Sequence, residues 1–87
     1  MSIHSRLRVV VADENAKRAR QGGDRLTLRE LSRATGISLS GINGLATDQT
    51  RRYDASTLDR LCAYFGVGVA DLLEYVPNAG EGNDGNG

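Results

Sequence analysis

TLRELSRATGISLSGINGLA, residues 27–46, is the stretch on which the reading of the fold turns. It opens on Thr27-Leu28-Arg29-Glu30, the pattern of a capping box. A threonine hydroxyl there can accept from the N–H of Glu30, while the glutamate side chain reaches back to the N–H of Thr27. Leu26, before the cap, and Leu31, at the fourth helical position, have the spacing of a hydrophobic staple. Leu28, Leu31 and Thr35 continue one face, and Gly36 supplies the left-handed residue that ends the helix. Ile37 is apolar and Ser38 is a good N-cap. A second short helix follows, with Ile42 and Leu45 on one side, ending near Thr47.

Two short helices joined by a tight glycine-containing turn, the second with its polar side outward, follow the helix-turn-helix plan. Such helices cross steeply, so they need apolar residues where they touch and a small residue at closest approach. Leu31, Ile37, Ile42 and Leu45 fill the apolar positions and Ser32 the small one.

Toward the N-terminus, Ile3, Leu7, Val10 and Val11 fall on one helical stripe, and this first helix should stop at Gly22-Gly23. Beyond the central stretch, residues 48–53 read as a polar loop and Asp54 as the cap of a fourth helix. Leu58, Leu61, Cys62 and Phe65 line that helix, which ends at Gly66. A fifth helix, about Val69 to Tyr75, carries Leu72 and Leu73. No convincing strand appears. From Val76 the chain reads VPNAGEGNDGNG, too polar and glycine-rich to bury apolar surface. The expectation is an all-α domain of five short helices over residues 3–75 and a flexible, disordered tail over 76–87.

Eighty-seven residues, 39% hydrophobic and 25% charged, allow one small soluble domain. One cysteine, Cys62, excludes an internal disulfide, and one histidine, His4, excludes a Cys/His zinc cluster. No apolar run reaches the roughly 18 residues of a membrane span. A reducing, cytoplasmic setting is expected, with no cofactor and no metal. The zero net charge hides a separation. All eleven Lys and Arg precede residue 61, and residues 61–87 carry four acids and no base. Residues 17–52 hold eight bases against three acids, a footprint suited to a phosphate backbone.

The segments TLRELSRATGIS, STLDRLCAYFGV and VADLLEYVP resemble the Cro/C1-type (XRE) helix-turn-helix family, closest to its short single-domain members. The resemblance covers nearly all of residues 3–75. It implies a lambda-repressor-like five-helix bundle, transcriptional regulation, and double-stranded DNA as partner, with residues 38–47 as a recognition helix in the major groove. Carried onto this chain, base contacts fall to Ser38, Leu39, Ser40 and Asn43, and Asn can pair bidentately with adenine. Phosphate contacts fall to Thr27, Leu28 and Arg29 at a helix N-terminus and to Arg51 and Arg52 in the following loop. A homodimer on a palindromic site would fit one short reading helix.

Two positions depart from the family pattern. Leu28 stands where members commonly carry a phosphate-binding glutamine, and Gly41 and Gly44 remove side chains from the reading helix. These glycines suggest the alternative, a protein-interaction module on the same fold, antitoxin-like or an accessory subunit. No constellation supports an enzyme: Ser38 and Ser40 lack a matched base, and Gly66-Val67-Gly68 follows a helix rather than a strand. His4 reads as a solvated side chain and Cys62 as a small buried hydrophobe. Tyr53 reads as packed over the loop, Tyr64 as exposed, and Tyr75 as packed at the end of the fifth helix.

Overall fold

The computed structural model describes residues 2–50 and 52–77. Thr27 Oγ1 accepts from the Glu30 amide at 3.1 Å, and Glu30 Oε1 accepts from the Thr27 amide at 3.0 Å. This reciprocal cap starts helix α2, Leu28–Thr35, third of the elements after strand β1, Ser2–Ser5, and helix α1, Leu7–Arg20. Gly36 ends α2 at φ 77°, a conformation that costs glycine no Cβ clash. Its amide donates to the Ser32 carbonyl at 2.9 Å.

Helix α3 (Leu39–Ala46) begins with the Ser38 hydroxyl accepting from the Gly41 amide at 3.1 Å. Helix α4 (Ala55–Phe65) begins with Asp54, whose carboxylate accepts from the Thr57 amide at 3.1 Å. A single turn, α5 (Val69–Leu72), leads into strand β2 (Leu73–Val76).

The core gathers one to three side chains from each helix. Leu7, Leu31, Ile42, Leu61 and Leu72 are its fully buried members, joined by Val10, Leu26, Ile37, Leu45 and Ala46. Leu26 and Leu31 are both buried, as the staple spacing requires. Ser32 sits at the corner between α2 and α3, where its hydroxyl donates to the Ile37 carbonyl at 2.5 Å.

The expectation of an all-α fold is corrected by β1 and β2, which pair antiparallel with Ile3 opposite Tyr75 and Ser5 opposite Leu73. Ile3 therefore belongs to a strand rather than to the stripe of the first helix, and the fifth helix stops at Leu72 rather than Tyr75. Leu-Glu-Tyr-Val and Ser-Ile-His-Ser are short segments whose choice of strand rests on each other. The Arg6 amide closes the joint by donating to the Leu72 carbonyl at 2.7 Å. Tyr75, expected to pack, is 56% exposed on this ribbon. Val76, assigned to the tail, ends β2, and residues 78–87 of the expected tail lie outside the described residues. Tyr53 and Cys62 pack against the core as half-buried side chains, and Tyr64 is exposed.

Asn15 on α1 does a job that periodicity does not reveal. Its amide accepts from the Leu26 N–H at 2.6 Å and donates to the Leu26 carbonyl at 3.1 Å, tying the α1–α2 connection to α1. Replacing Asn15 by Ala leaves both backbone groups of a buried residue without this partner. Urea denaturation of Asn15→Ala is expected to show a loss of about 1–3 kcal/mol, and an unchanged midpoint would contradict this role.

Candidate nucleic-acid interface

Ile42, Leu45 and Ala46 turn into the core, which fixes the rotation of α3. Ser40, Asn43 and Thr47 are exposed and follow one another at helical spacing on the opposite side. The outward stripe of α3 is thus Ser40–Asn43–Thr47. Thr47 was not among the expected contacts, although its position one turn beyond Asn43 is legible from the 3.6-residue period. Its hydroxyl donates to the Asn43 carbonyl at 2.8 Å and keeps its lone pairs outward-accessible. Ser38 is exposed at the start of α3 and serves as its cap, while Leu39 is half-buried.

Gly41 lies off this stripe, and Gly44 lies between Ser40 and Thr47 at its edge. A Cβ on Gly41 would meet Ser38 Oγ at 3.2 Å and Ile37 Cγ2 at 3.3 Å. A Cβ on Gly44 would point at Thr50 Cβ, 3.8 Å away. The Gly44 carbonyl accepts from the amides of Gln49 and Thr50 at 2.8 and 3.3 Å, so the following loop folds back over this glycine. Gly41 faces the turn, whereas Gly44, one turn from both Ser40 and Thr47, lies on the outward face beside the following loop.

A second polar feature is the start of α2. The amides of Leu28 and Arg29 have no partner among the described residues, since the cap at Thr27 takes the amides of Glu30 and Leu31. Two free N–H groups at a helix N-terminus favour an anion, and the Arg29 guanidinium is exposed next to them. Thr27 itself is exposed, with its hydroxyl engaged in the cap. The Leu28 side chain is half-buried and lines an open groove with Arg8, Val11, Asn15 and Arg25. Its contribution at this end is its backbone amide.

Arg52 is exposed in the α3–α4 loop, where the Thr50 hydroxyl donates to its carbonyl at 3.0 Å. Arg51 lies outside the described residues. Among the described residues, Arg25, Arg29, Arg33 and Arg52 take part in no ion pair. Arg18, by contrast, is committed: its Nε donates to Glu14 at 2.8 Å, and that bond is the main cause holding its guanidinium above the ordinary arginine range.

His4, expected to be solvated, is instead joined to the loop beside this interface, with Nδ1 2.5 Å from Asp48 Oδ2. The described residues contain no group of three or more His, Cys, Asp or Glu side chains placed to hold a metal. No helix among them is long and apolar enough to cross a membrane.

A capped helix, a left-handed glycine turn and a second helix with an exposed polar stripe define a helix-turn-helix domain. The family model of the Cro/C1-type HTH DNA-binding domain matches residues 23–78, and the chain belongs to that family. Comparison with curated proteins and with solved structures gives no match.

The direction of the Gly44 Cβ carries a stability consequence. Gly44→Ala removes the penalty of a glycine in a helix interior and adds only an ordinary contact with Thr50. Thermal unfolding should show a gain of about 0.5–1 kcal/mol with duplex binding unchanged. A loss of binding would place Gly44 on the reading surface after all.

Proposed function

We propose that this chain is a cytoplasmic, non-enzymatic transcriptional regulator that lays α3 in the major groove of double-stranded DNA. The observation that carries this reading is the exposed Ser40–Asn43–Thr47 stripe, together with exposed Arg29 beside the free α2 amides and exposed Arg52 in the loop after α3. Asn43 offers the donor–acceptor pair that suits adenine N6 and N7, and Ser40 and Thr47 offer adaptable hydroxyls. Ser38 and Leu39, at the start of the helix, add contacts where α3 enters the groove, with Leu39 suited to a thymine methyl. The amides of Leu28 and Arg29, with Thr27, hold one phosphate, while Arg51 and Arg52 hold another. One such helix reads only a few base pairs, so we propose that the protein acts as a homodimer on half-sites about 34 Å apart.

Fluorescence anisotropy against mixed-sequence duplex at about 50 mM salt tests the electrostatic part of this reading. Arg52→Ala should weaken binding to all sequences and flatten the slope of log K against log salt by about 0.9. Absence of duplex binding, with a stable complex formed with another protein, would replace it by the interaction-module reading. Against a selected operator, Asn43→Ala should lose discrimination of about 1–3 kcal/mol at one base pair while leaving the salt slope unchanged. Equal loss on every sequence would remove Asn43 from base readout.

A further inference from the structure

Arg8 lies on the exposed side of α1, ahead of residue 23, where the matched family region begins. Its guanidinium makes no ion pair or hydrogen bond among the described residues, and neither does that of Arg25. Two open grooves meet at Arg8. One is lined by Arg8, Ala12 and Ala46 together with Arg25, Thr27 and Leu28 at the start of α2. The other is lined by Arg8, Ala12 and Ala46 together with Thr47 and Asp48 at the end of α3. Their shared walls make one continuous trough beside α1. It runs from the first turn of α2 to the last residue of the Ser40–Asn43–Thr47 stripe, with Arg8 between its ends and Arg25 at its α2 end.

Local structure fixes both arginines. Leu7 and Val10 are buried, which turns Arg8 outward at the second position of α1. Arg25 immediately precedes Leu26, whose amide and carbonyl are both bound by Asn15 of α1. The connection is thereby held against α1 next to Arg25. The floor of the trough is apolar, made by Val11, Leu26, Leu28 and Ala46. The acid on its rim is Asp48, whose carboxylate is engaged by the Ser5 amide and by His4. Two guanidiniums without internal partners, an apolar floor and the free amides of Leu28 and Arg29 at one end suit a sugar–phosphate strand. Anionic oxygens and apolar deoxyribose faces alternate along such a strand, and the arginine fork matches the oxygens.

We propose that Arg8 and Arg25 are phosphate-contact residues that extend the DNA interface from the helix-turn-helix onto α1. This inference rests on the DNA-binding reading and adds a course for one strand to it. The backbone held at the α2 amides continues along the trough toward Thr47. Contacts of this kind position the duplex and carry no sequence information, so their loss weakens binding to every sequence alike.

The test is fluorescence anisotropy of the full chain with mixed-sequence duplex between about 50 and 200 mM salt, with a circular-dichroism melt of each variant. Arg8→Gln and Arg25→Gln keep most of the aliphatic stem and lose the charge. Each should weaken binding and flatten the slope of log K against log salt by about 0.9, and the double variant by about twice that. Arg8→Lys should keep the slope of the unaltered chain. Arg20→Gln is the control, an exposed arginine of α1 that lines neither groove, and it should leave the slope unchanged. All variants should melt with the unaltered chain, since an unpaired exposed arginine adds little to stability.

An unchanged slope in Arg8→Gln or in Arg25→Gln, beside a flattened one in Arg52→Ala, overturns the inference and leaves the DNA-binding reading standing. Equal flattening in Arg20→Gln overturns it as well, because the response is then to total charge. Absence of duplex binding at every salt concentration overturns both.

Discussion

The crossing of α2 and α3 is the constraint on which the rest depends. Leu31 and Ile42 are both completely buried, Gly36 makes the turn between their helices in a left-handed conformation, and Ser32 closes the corner on the Ile37 carbonyl. An eight-residue helix containing two glycines has little stability of its own in water. Helix α3 persists because three of its residues, Ile42, Leu45 and Ala46, are seated in the core and because both of its ends are occupied. Ser38 caps the first turn, and the amides of Gln49 and Thr50 close on Gly44 at the last. The same seating sets its rotation. With Ile42 and Leu45 inward, Ser40, Asn43 and Thr47 have only the outside to occupy. The exposed polar stripe is thus a by-product of packing.

The parts of this arrangement that were legible in the sequence are those whose partners lie within one helical turn. The Thr27–Glu30 box, the Ser38 and Asp54 caps and the glycines that end α2 and α4 are all decided by residues within a few positions of each other. The ribbon of β1 and β2 was not legible, because its partners are separated by nearly the whole described chain. Ile3 satisfies a helical stripe and a strand equally well on paper. What decides is the register with Tyr75, which no local pattern contains. His4 and Asp48 were missed for the same reason, as was Asn15 with Leu26. A polar side chain whose partner is a distant carboxylate or backbone group looks identical in sequence to one facing water. The glycines of α3 posed a third problem. Their positions were plain, but their direction depends on how the loop after Thr47 folds back, and that is set by hydrogen bonds to the Gly44 carbonyl.

Charge placement is where the sequence was informative beyond local structure. A chain with no net charge still concentrates its bases before residue 61, and the fold leaves Arg25, Arg29, Arg33 and Arg52 out of ion pairs among the described residues. Arginines that are neither paired nor buried add little to stability. Asp48 is the exception in this neighbourhood, an acid placed at the foot of the reading helix. Its attachment to β1 through His4 and Ser5 supplies a structural reason for its presence.

That attachment also explains how so small a sheet persists. A two-stranded ribbon is marginal in water by itself, and this one leaves Ile3 and Tyr75 substantially exposed. Its support is lateral: Leu73 packs on the core, Arg6 bonds to the end of α5, and Asp48 and Tyr53 hold β1 from the loop side. The support runs in both directions, because a loop bearing a left-handed aspartate and exposed arginines has few apolar contacts of its own. Strand and loop order one another as one local cooperative unit. A perturbation in β1 or in β2 is therefore felt at the loop that follows α3, although neither strand belongs to the helix-turn-helix itself.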